Sequence, residues 1–563
     1  MKMTEKVWLK HYPDYIKPNL EYDEIPLQQF LTDAAKRTPN KIAIHFMGKD
    51  VKYAELHEYA LKFANYLKQL GIEKGDRVAL MLPNVPQTVI CYYGALYAGA
   101  IVVMTNPLYT EREIEYQLKD SGAKVIVSLD ILYPRIMKVF KNTNLENVIV
   151  TSVKDFLPFP KNLLYPMVQK KEYGFKVEVS HSGVSHLLME IFKTASATPL
   201  DIPFDFEEDI ALLQYTGGTT GFPKGVMLTH KNLLSNVKMC QDWLIEPSPT
   251  DDVILGVLPF FHVYGMTTVL LLTVMQGNKM VLLPKFDPET TLKTIQKQKP
   301  TLFPGAPTIY IGLINNPNIE NYDLSSIKAC ISGSASLPAE VQEKFEKLTG
   351  GKLVEGYGLT ESSPVTHANL VYENIRKKNS IGIPWPDTDS MVIDGDIDHE
   401  TPVGEIGEIV VKGPQVMKGY WNRPEETAMS LQDGWLRTGD LGYVDEDGFF
   451  FVVDRKKDII IAGGFNIYPR EVEEVLYEHP DIVECVAAGV PDPYRGETVK
   501  AFIVLREGAT VTEKELNKFC RENLAAFKVP RIYEFRKELP KTAVGKILRR
   551  TLIEEEKQKQ IEA

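Results

Sequence analysis

Residues 78 to 104 read VALMLPNVPQTVICYYGALYAGAIVVM, and the way this uncharged run divides decides the fold. A stretch of ~20 apolar residues is long enough to cross a bilayer. Pro83, Asn84 and Pro86, however, cut the run into a strand-like VALML, a helix-like QTVICYYGALYAGA and a strand-like IVVM. A β-α-β unit buried on both faces looks like this, because parallel strands covered by helices carry continuous apolar residues. The run from Val253 to Gly277 is broken in the same manner by Pro259, His262, Gly265 and three threonines, and it too reads as core.

On either side of that unit, strand-like KIAIHF and KVIVSL flank the helix-like AELHEYALKFANYLKQL, so the first half is expected to be an α/β array of doubly wound sheets. Thr151 to Glu208 shows no clear period and is taken as an irregular excursion separating two sheet regions. From Gly404 to Val453 short strands alternate with tight turns, including D-E-D-G at 445 to 448, which predicts a small antiparallel, barrel-like sheet. A charged D-R-K-K-D at 454 to 458 then precedes a compact α+β region of helix, two strands, helix and strand. The expected organisation is a large N-terminal domain over 1–453, a linker over 454–458 and a small C-terminal domain over 459–563.

Composition removes several classes of function. With 64 Lys+Arg against 75 Asp+Glu the 563-residue chain carries a net charge of −11, which opposes general attraction to nucleic acid. At 44% hydrophobic and 25% charged, it is neither disordered nor collagen-like. Five cysteines without a C-x-x-C suit a reducing compartment, and Met1 to Leu20 lacks the apolar core of a signal peptide, so a cytoplasmic location is expected. Contact with a membrane surface and a homodimer both stay open.

The segment richest in chemistry is Tyr215-Thr-Gly-Gly-Thr-Thr-Gly-Phe-Pro-Lys-Gly225, lying between the strand-like IALLQ and the helical HKNLLSNVKMCQDWL. Gly217, Gly218, Gly221 and Gly225 permit close backbone approach, Thr216, Thr219 and Thr220 offer hydroxyls, and Lys224 adds a positive charge. Such a loop suits a polyphosphate. It is not a G-x-x-x-x-G-K-[ST] loop, since no Gly-Lys-Ser/Thr stands at the required spacing.

The chain resembles the adenylate-forming superfamily of acyl- and aryl-CoA synthetases, luciferases and peptide-synthetase adenylation domains, closest to bacterial long-chain fatty acid:CoA ligases. The resemblance rests on that loop and on PFFHVYG (259–265), SGSASLP (332–338), YGLTE (357–361), EIVVKGP (408–414), WLRTGD (435–440), DRKKD (454–458), GGFNIYP (463–469) and PKTAVGK (540–546). It implies ATP-dependent activation of a fatty acid to acyl-AMP with release of pyrophosphate, followed by transfer to coenzyme A.

By the same resemblance, Thr216 to Gly221 and Lys224 hold the β/γ-phosphates, and Thr216 with Glu361 holds Mg²⁺, which prefers hard oxygen ligands. Adenine lies against Tyr357 and Gly358, with Gly333, Ser334 and Ala335 on its other edge. Thr360 reaches the α-phosphate, and Asp440 with Arg455 holds the ribose. Lys546 is the catalytic cation that neutralises two approaching anions, while His262 positions or gates the carboxylate. The small domain is mobile about a hinge at Lys457, and its turn brings Gly463, Gly464 and Phe465 to the coenzyme A channel. Met266 stands where some long-chain relatives carry a gating tryptophan. A medium-chain or aryl acid:CoA ligase and a non-catalytic acyl- or membrane-binding protein are the alternatives.

Overall fold

A computed structural model describes residues 6–173, 183–216, 223–244, 251–373, 375–462, 465–492, 495–542 and 545–562. The 78–104 run forms the strand Arg77–Met81, the helix Pro86–Tyr97 and the strand Ile101–Met104. Pro86 opens the helix, where a missing N–H has no partner to lose, and every residue of that helix is buried. Gly94 lets it lie against the helix Tyr53–Gln69. A Cβ at that position would come within 2.7 Å of the Ala60 carbonyl oxygen and of the Phe63 ring.

These strands sit in the middle of an eight-stranded sheet. Its order is Gly419–Tyr420, Lys224–Thr229, Ile210–Thr216, Ile101–Met104, Arg77–Met81, Val125–Leu129, Asn147–Thr151 and Ser185–Leu187. Pairing is parallel from Ile210–Thr216 to Ser185–Leu187 and antiparallel at the other edge. The 151–208 segment is therefore more ordered than its sequence suggests. It contains the helices Lys161–Tyr173 and Leu188–Thr194, and its strand Ser185–Leu187 extends this same sheet rather than dividing two. Three strand residues are too few to show a period, and the helix Lys161–Tyr173 turns its apolar residues outward, which defeats a reading that expects them inside.

A second sheet orders Val253–Gly256, Lys279–Leu282, Ile42–Phe46 and Lys49–Lys52. Bridges at Leu302 link it to a third of Ala329–Ser332, Lys352–Gly358, Val365–Ala368 and Ile383–Pro384. The expected small antiparallel sheet is built from Asp389–Ile393, Gly407–Lys412, Trp435–Val444 and Leu431–Gln432, with Phe450–Arg455 paired to Trp435–Val444.

Hydrophobic packing changes hands around Asp454–Asp458. One continuous core gathers buried side chains between Trp8 and Phe450, whereas two smaller clusters gather those between Ile460 and Leu552. The small lobe orders Phe465–Ile467, Ile460–Ala462, Gly496–Leu505 and Ile482–Asp492, with Ile532–Phe535 parallel to Gly496–Leu505. The helices Pro469–Tyr477, Glu513–Asn523 and Arg549–Glu562 accompany that sheet. All five cysteines are buried and unpaired. Among the described residues no helix is long and apolar enough to cross a membrane.

The hairpin of Lys352–Gly358 and Val365–Ala368 carries the YGLTE segment, and its register shifts between Tyr357 and Gly358. At Gly358 a Cβ would overlap the Pro364 carbonyl oxygen, which is backbone and cannot swing aside. Gly358→Ala should therefore destabilise the protein by ~1–3 kcal/mol, read as a fall in thermal midpoint. Gly439→Ala, at φ +71° with nothing within 4 Å of the added Cβ, should cost ~1 kcal/mol from backbone conformation alone.

Candidate active site

A cavity of about 1440 Å³ opens between the two lobes. Its walls come from the ends of several sheets, which is where α/β folds place ligands. Gly333, Ser334 and Ala335 follow the strand Ala329–Ser332 and line one side, with Ser334 in the left-handed region at φ +71°. Tyr357, Gly358, Thr360 and Glu361 line the next, at the end of Lys352–Gly358. Asp440 and Arg455 face the cavity from adjacent antiparallel strands, where they are register partners. Thr216, Lys224, His262, Lys457 and Lys546 complete the set that the sequence singled out. Gly217, Gly218, Thr219, Thr220, Gly221, Gly463 and Gly464 lie outside the described residues. Phe465 is not part of this wall. It is exposed on the small lobe, stacked on Phe527 at 4.8 Å.

At one end of the cavity a carboxylate is held by two donors. The Tyr357 hydroxyl donates to Asp440 Oδ2 at 2.7 Å, and Arg455 Nε stands 3.2 Å from Asp440 Oδ1. Asp440 is itself buried, so its charge needs these partners. Tying the phenol to Asp440 also fixes the ring plane of Tyr357, whose edge meets His367 at 5.8 Å. The result is a flat aromatic face beside an acceptor suited to vicinal hydroxyls.

The other end is built around Thr216 and Lys224, register partners on the two strands that bracket the glycine-rich loop. The Lys224 ammonium sits 5.1 Å over the Tyr420 ring, and the Tyr420 hydroxyl donates to Glu361 Oε1 at 2.8 Å. The main-chain N–H of Met417 donates to the Glu361 carbonyl at 2.8 Å, fastening the YGLTE turn to the same strand edge. The Thr216 hydroxyl and the Glu361 carboxylate are the hard oxygens that a magnesium ion accompanying a polyphosphate accepts. Among the described residues no three His, Cys, Asp or Glu side chains gather as a preformed cage.

Asp120, at the end of the helix Glu111–Ser121, was not legible as part of this site, yet it secures both arms of the loop. Its Oδ2 accepts from the Tyr215 hydroxyl at 2.7 Å, its Oδ1 from Arg423 Nη2 at 2.9 Å, and its carbonyl from Trp421 Nε1 at 3.1 Å. The Trp421 N–H in turn donates to the Gly225 carbonyl at 2.7 Å. Thr110 and Glu113 form a capping box that starts the helix, and Gly122 ends it at φ +63°, so the position of Asp120 is fixed locally. Its partners are roughly a hundred and three hundred residues away, and no spacing pattern links them.

The third wall is apolar. His262 precedes a helical run whose middle, Met266–Leu271, is π-helical, a widening often found beside functional sites. The His262 imidazole is held low, at about 4, by its poor access to water and secondarily by Lys546, so it is neutral at neutral pH. The Tyr264 hydroxyl donates to the Ile331 carbonyl at 2.7 Å, and its ring lies where a Cβ on Gly333 would be 3.0 Å away. Beyond Ile331 a small hollow is lined by Leu244, Leu272, Phe303 and Pro304.

The small lobe delivers Lys546. Gly545, at φ +82°, packs so closely on the large lobe that a Cβ there would overlap the Thr308 hydroxyl. The Lys546 ammonium is held low, at about 8, first by repulsion from Arg455 and next by partial removal from water, with Asp440 opposing. Its side chain still reaches cavity water, so the neighbouring guanidinium governs its state. Two arginines brace this arrangement. Arg549 pairs with Glu473 at 2.7 Å and Asp458 at 2.9 Å. Arg470 donates to the Val452 carbonyl at 2.7 Å and stands 3.9 Å from Glu355 of the large lobe. Burial pushes the Glu355 carboxyl up to about 7 against the pull of Arg470.

Because Asp120 ties Tyr215, before the loop, to Trp421 and Arg423 on the neighbouring segment, Asp120→Asn should raise the KM for ATP about tenfold, the size of one weakened charge-assisted hydrogen bond. The rate at saturating ATP should change little, as steady-state kinetics would show.

Comparison with known proteins agrees with the two-lobed site. The AMP-binding enzyme family model matches residues 31–421, and the model of the AMP-binding enzyme C-terminal domain matches residues 471–546. A long-chain-fatty-acid–CoA ligase of Bacillus subtilis (strain 168) is 58% identical over 98% of both chains. Among solved structures, ATP-bound MatB from Rhodopseudomonas palustris superposes with a TM-score of 0.82 at 31% identity, covering 94% of this chain and 99% of that one. The anthranilate CoA ligase AuaEII in complex with anthranoyl-AMP does so with a TM-score of 0.85 at 28% identity, covering 97% and 100%. The chain belongs to the AMP-binding enzyme family in both of its lobes.

Proposed function

We propose that the protein is an AMP-forming long-chain fatty acid:CoA ligase working in two steps through one cavity. In the first, a carboxylate oxygen of the fatty acid attacks the α-phosphorus of ATP, the bond to the bridging oxygen breaks, and acyl-AMP and pyrophosphate result. In the second, the thiol of coenzyme A attacks the acyl carbonyl, AMP leaves, and the thiol proton passes to solvent or buffer. The observation that carries this reading is the convergence of Lys546, Arg455 and Lys224 on a cavity that also holds the Tyr357–Asp440 pair.

In this reading Asp440 accepts from the ribose hydroxyls, and Tyr357 covers the adenine opposite Gly333, Ser334 and Ala335. Thr360 donates toward the α-phosphate. Lys224 and the glycine-rich loop hold the departing phosphates, and Thr216 and Glu361 offer oxygens to the magnesium that arrives with ATP and spreads the phosphate charge. Lys546 stands between carboxylate and α-phosphate, stabilising charge rather than transferring a proton. A neutral His262 orients the acid without repelling Lys546. The alkyl chain runs along Val263, Tyr264 and Ile311, surfaces that suit methylenes.

Coenzyme A must then reach the carbonyl from the side that Lys546 occupies. The proposed division into 1–453, a 454–458 hinge turning at Lys457, and 459–563 meets this need. Rotation would withdraw Lys546 and bring Gly463, Gly464 and Phe465 to the channel, and the exposure of Phe465 in the present arrangement accords with that unused role.

Exchange of labelled pyrophosphate into ATP, run with acids from octanoate to octadecanoate and with cinnamate and benzoate, tests the assignment. The specificity constant should peak between dodecanoate and octadecanoate. A cinnamate or benzoate optimum would move the protein to the aryl-acid ligases, and silence with every acid would remove the ligase reading.

Lys546→Ala should lower adenylate formation by at least ~10²-fold while sparing thioester formation from supplied acyl-AMP. Since the lysine is charged below its pKa, kcat/KM for adenylate formation should fall as pH rises through about 8. Lys546→Arg, slower but charged throughout, should lose that falling limb.

A further inference from the structure

The helix Lys161–Tyr173 is inside out. The side chains that it turns to the protein are Asn162, Tyr165 and Gln169: Tyr165 packs on the core, and Gln169 is buried, with its amide donating to Asp130 Oδ1 at 2.9 Å. Its outward face carries Leu163, Leu164, Met167 and Val168, exposed by 66%, 49%, 63% and 54%. With 3.6 residues per turn these four span an arc of roughly 140°. Phe159, exposed by 79%, precedes the helix, and Met47 of a neighbouring turn adjoins it, its carbonyl accepting from Lys161 Nζ at 3.2 Å.

Charge identifies the partner. On the helical wheel Lys170 and Lys161 border the apolar arc on its two sides, and Lys171 lies at its C-terminal end. No Asp or Glu occurs from Leu157 to Lys171, in a chain whose net charge is −11. An apolar stripe flanked by lysines, whose methylenes can lie along lipid while their ammonium groups reach phosphates, is the pattern of a helix lying in a bilayer interface. Self-association through this face would set the same lysines against one another across a two-fold axis.

We propose that the outward face of Lys161–Tyr173, with Phe159 and Met47, docks the protein on an anionic phospholipid surface. The helix lies parallel to that surface, its apolar arc among the acyl chains and its lysines at the headgroups. This inference stands on the surface of the large lobe and not on the catalytic assignment.

Flotation of the full-length protein tests it, using vesicles of phosphatidylcholine alone and of equimolar phosphatidylcholine and phosphatidylglycerol. The protein should float with the anionic vesicles and stay behind with the neutral ones. Combined Leu163→Gln, Met167→Gln and Val168→Gln should weaken binding at least ~10-fold. Lys161→Gln with Lys170→Gln and Lys171→Gln should weaken it most at low salt, where surface charges are least screened. Both variants should keep the wild-type rate with a water-soluble acid in detergent-free solution, which separates docking from catalysis and shows that they fold. Equal flotation of the apolar variant, absence of flotation by the wild type, or a concentration-dependent dimer that the apolar variant abolishes would each overturn the proposal.

Discussion

Two cations, Arg455 and Lys546, line one cavity with the Asp440 carboxylate beside them. Arg455 is committed to Asp440 at 3.2 Å, and Lys546 is held down to about 8 chiefly because that guanidinium is near. The repulsion between these two cations is relieved when further negative charge enters the space. In the proposed reaction the phosphates of ATP would supply that charge. On that proposal, binding energy at the Thr216–Lys224 end would be converted into placement of the lysine, which is the way a polyphosphate substrate can organise the groups that act on it.

Around that centre the two ends of the cavity are built differently. The Asp440 end is a local construction, two adjacent strand residues in register plus one tyrosine. The phosphate end is assembled from afar, with Asp120 on an early helix tying Tyr215 before the loop to Trp421 and Arg423 beyond it. The small lobe is braced in a comparable way by Arg549 and Arg470, whose carboxylate partners come from the 454–458 segment and from both lobes.

Much of this was legible from order along the chain. The division of 78–104 at its prolines leads directly to the central β-α-β unit, and the tight turns after Gly404 lead to the antiparallel sheet. Every assigned residue of the cavity that the structure describes, apart from Phe465, lines one space, and several of them, such as Gly333 to Ala335 and Tyr357 to Glu361, stand at the end of a strand or in the turn after it. What escaped has two physical causes. Asp120, Arg423, Arg470 and Glu355 act through contacts between segments far apart in sequence, which no local spacing encodes. The Lys161–Tyr173 helix escaped because its apolar residues face away from the core, so burial patterning points the wrong way.

The contact of Gly545 with Thr308 has a mechanical corollary. The lobes meet there backbone to side chain with no room for even a methyl group, so the fit works as a keyway for the orientation that carries Lys546 into the cavity. A lysine carried on a long, supple stem could otherwise arrive from many directions. Seating the hydrogen of Gly545 on the threonine indexes the whole lobe before the ammonium is aimed, and transfers the burden of accuracy from a flexible side chain to a stiff main-chain corner.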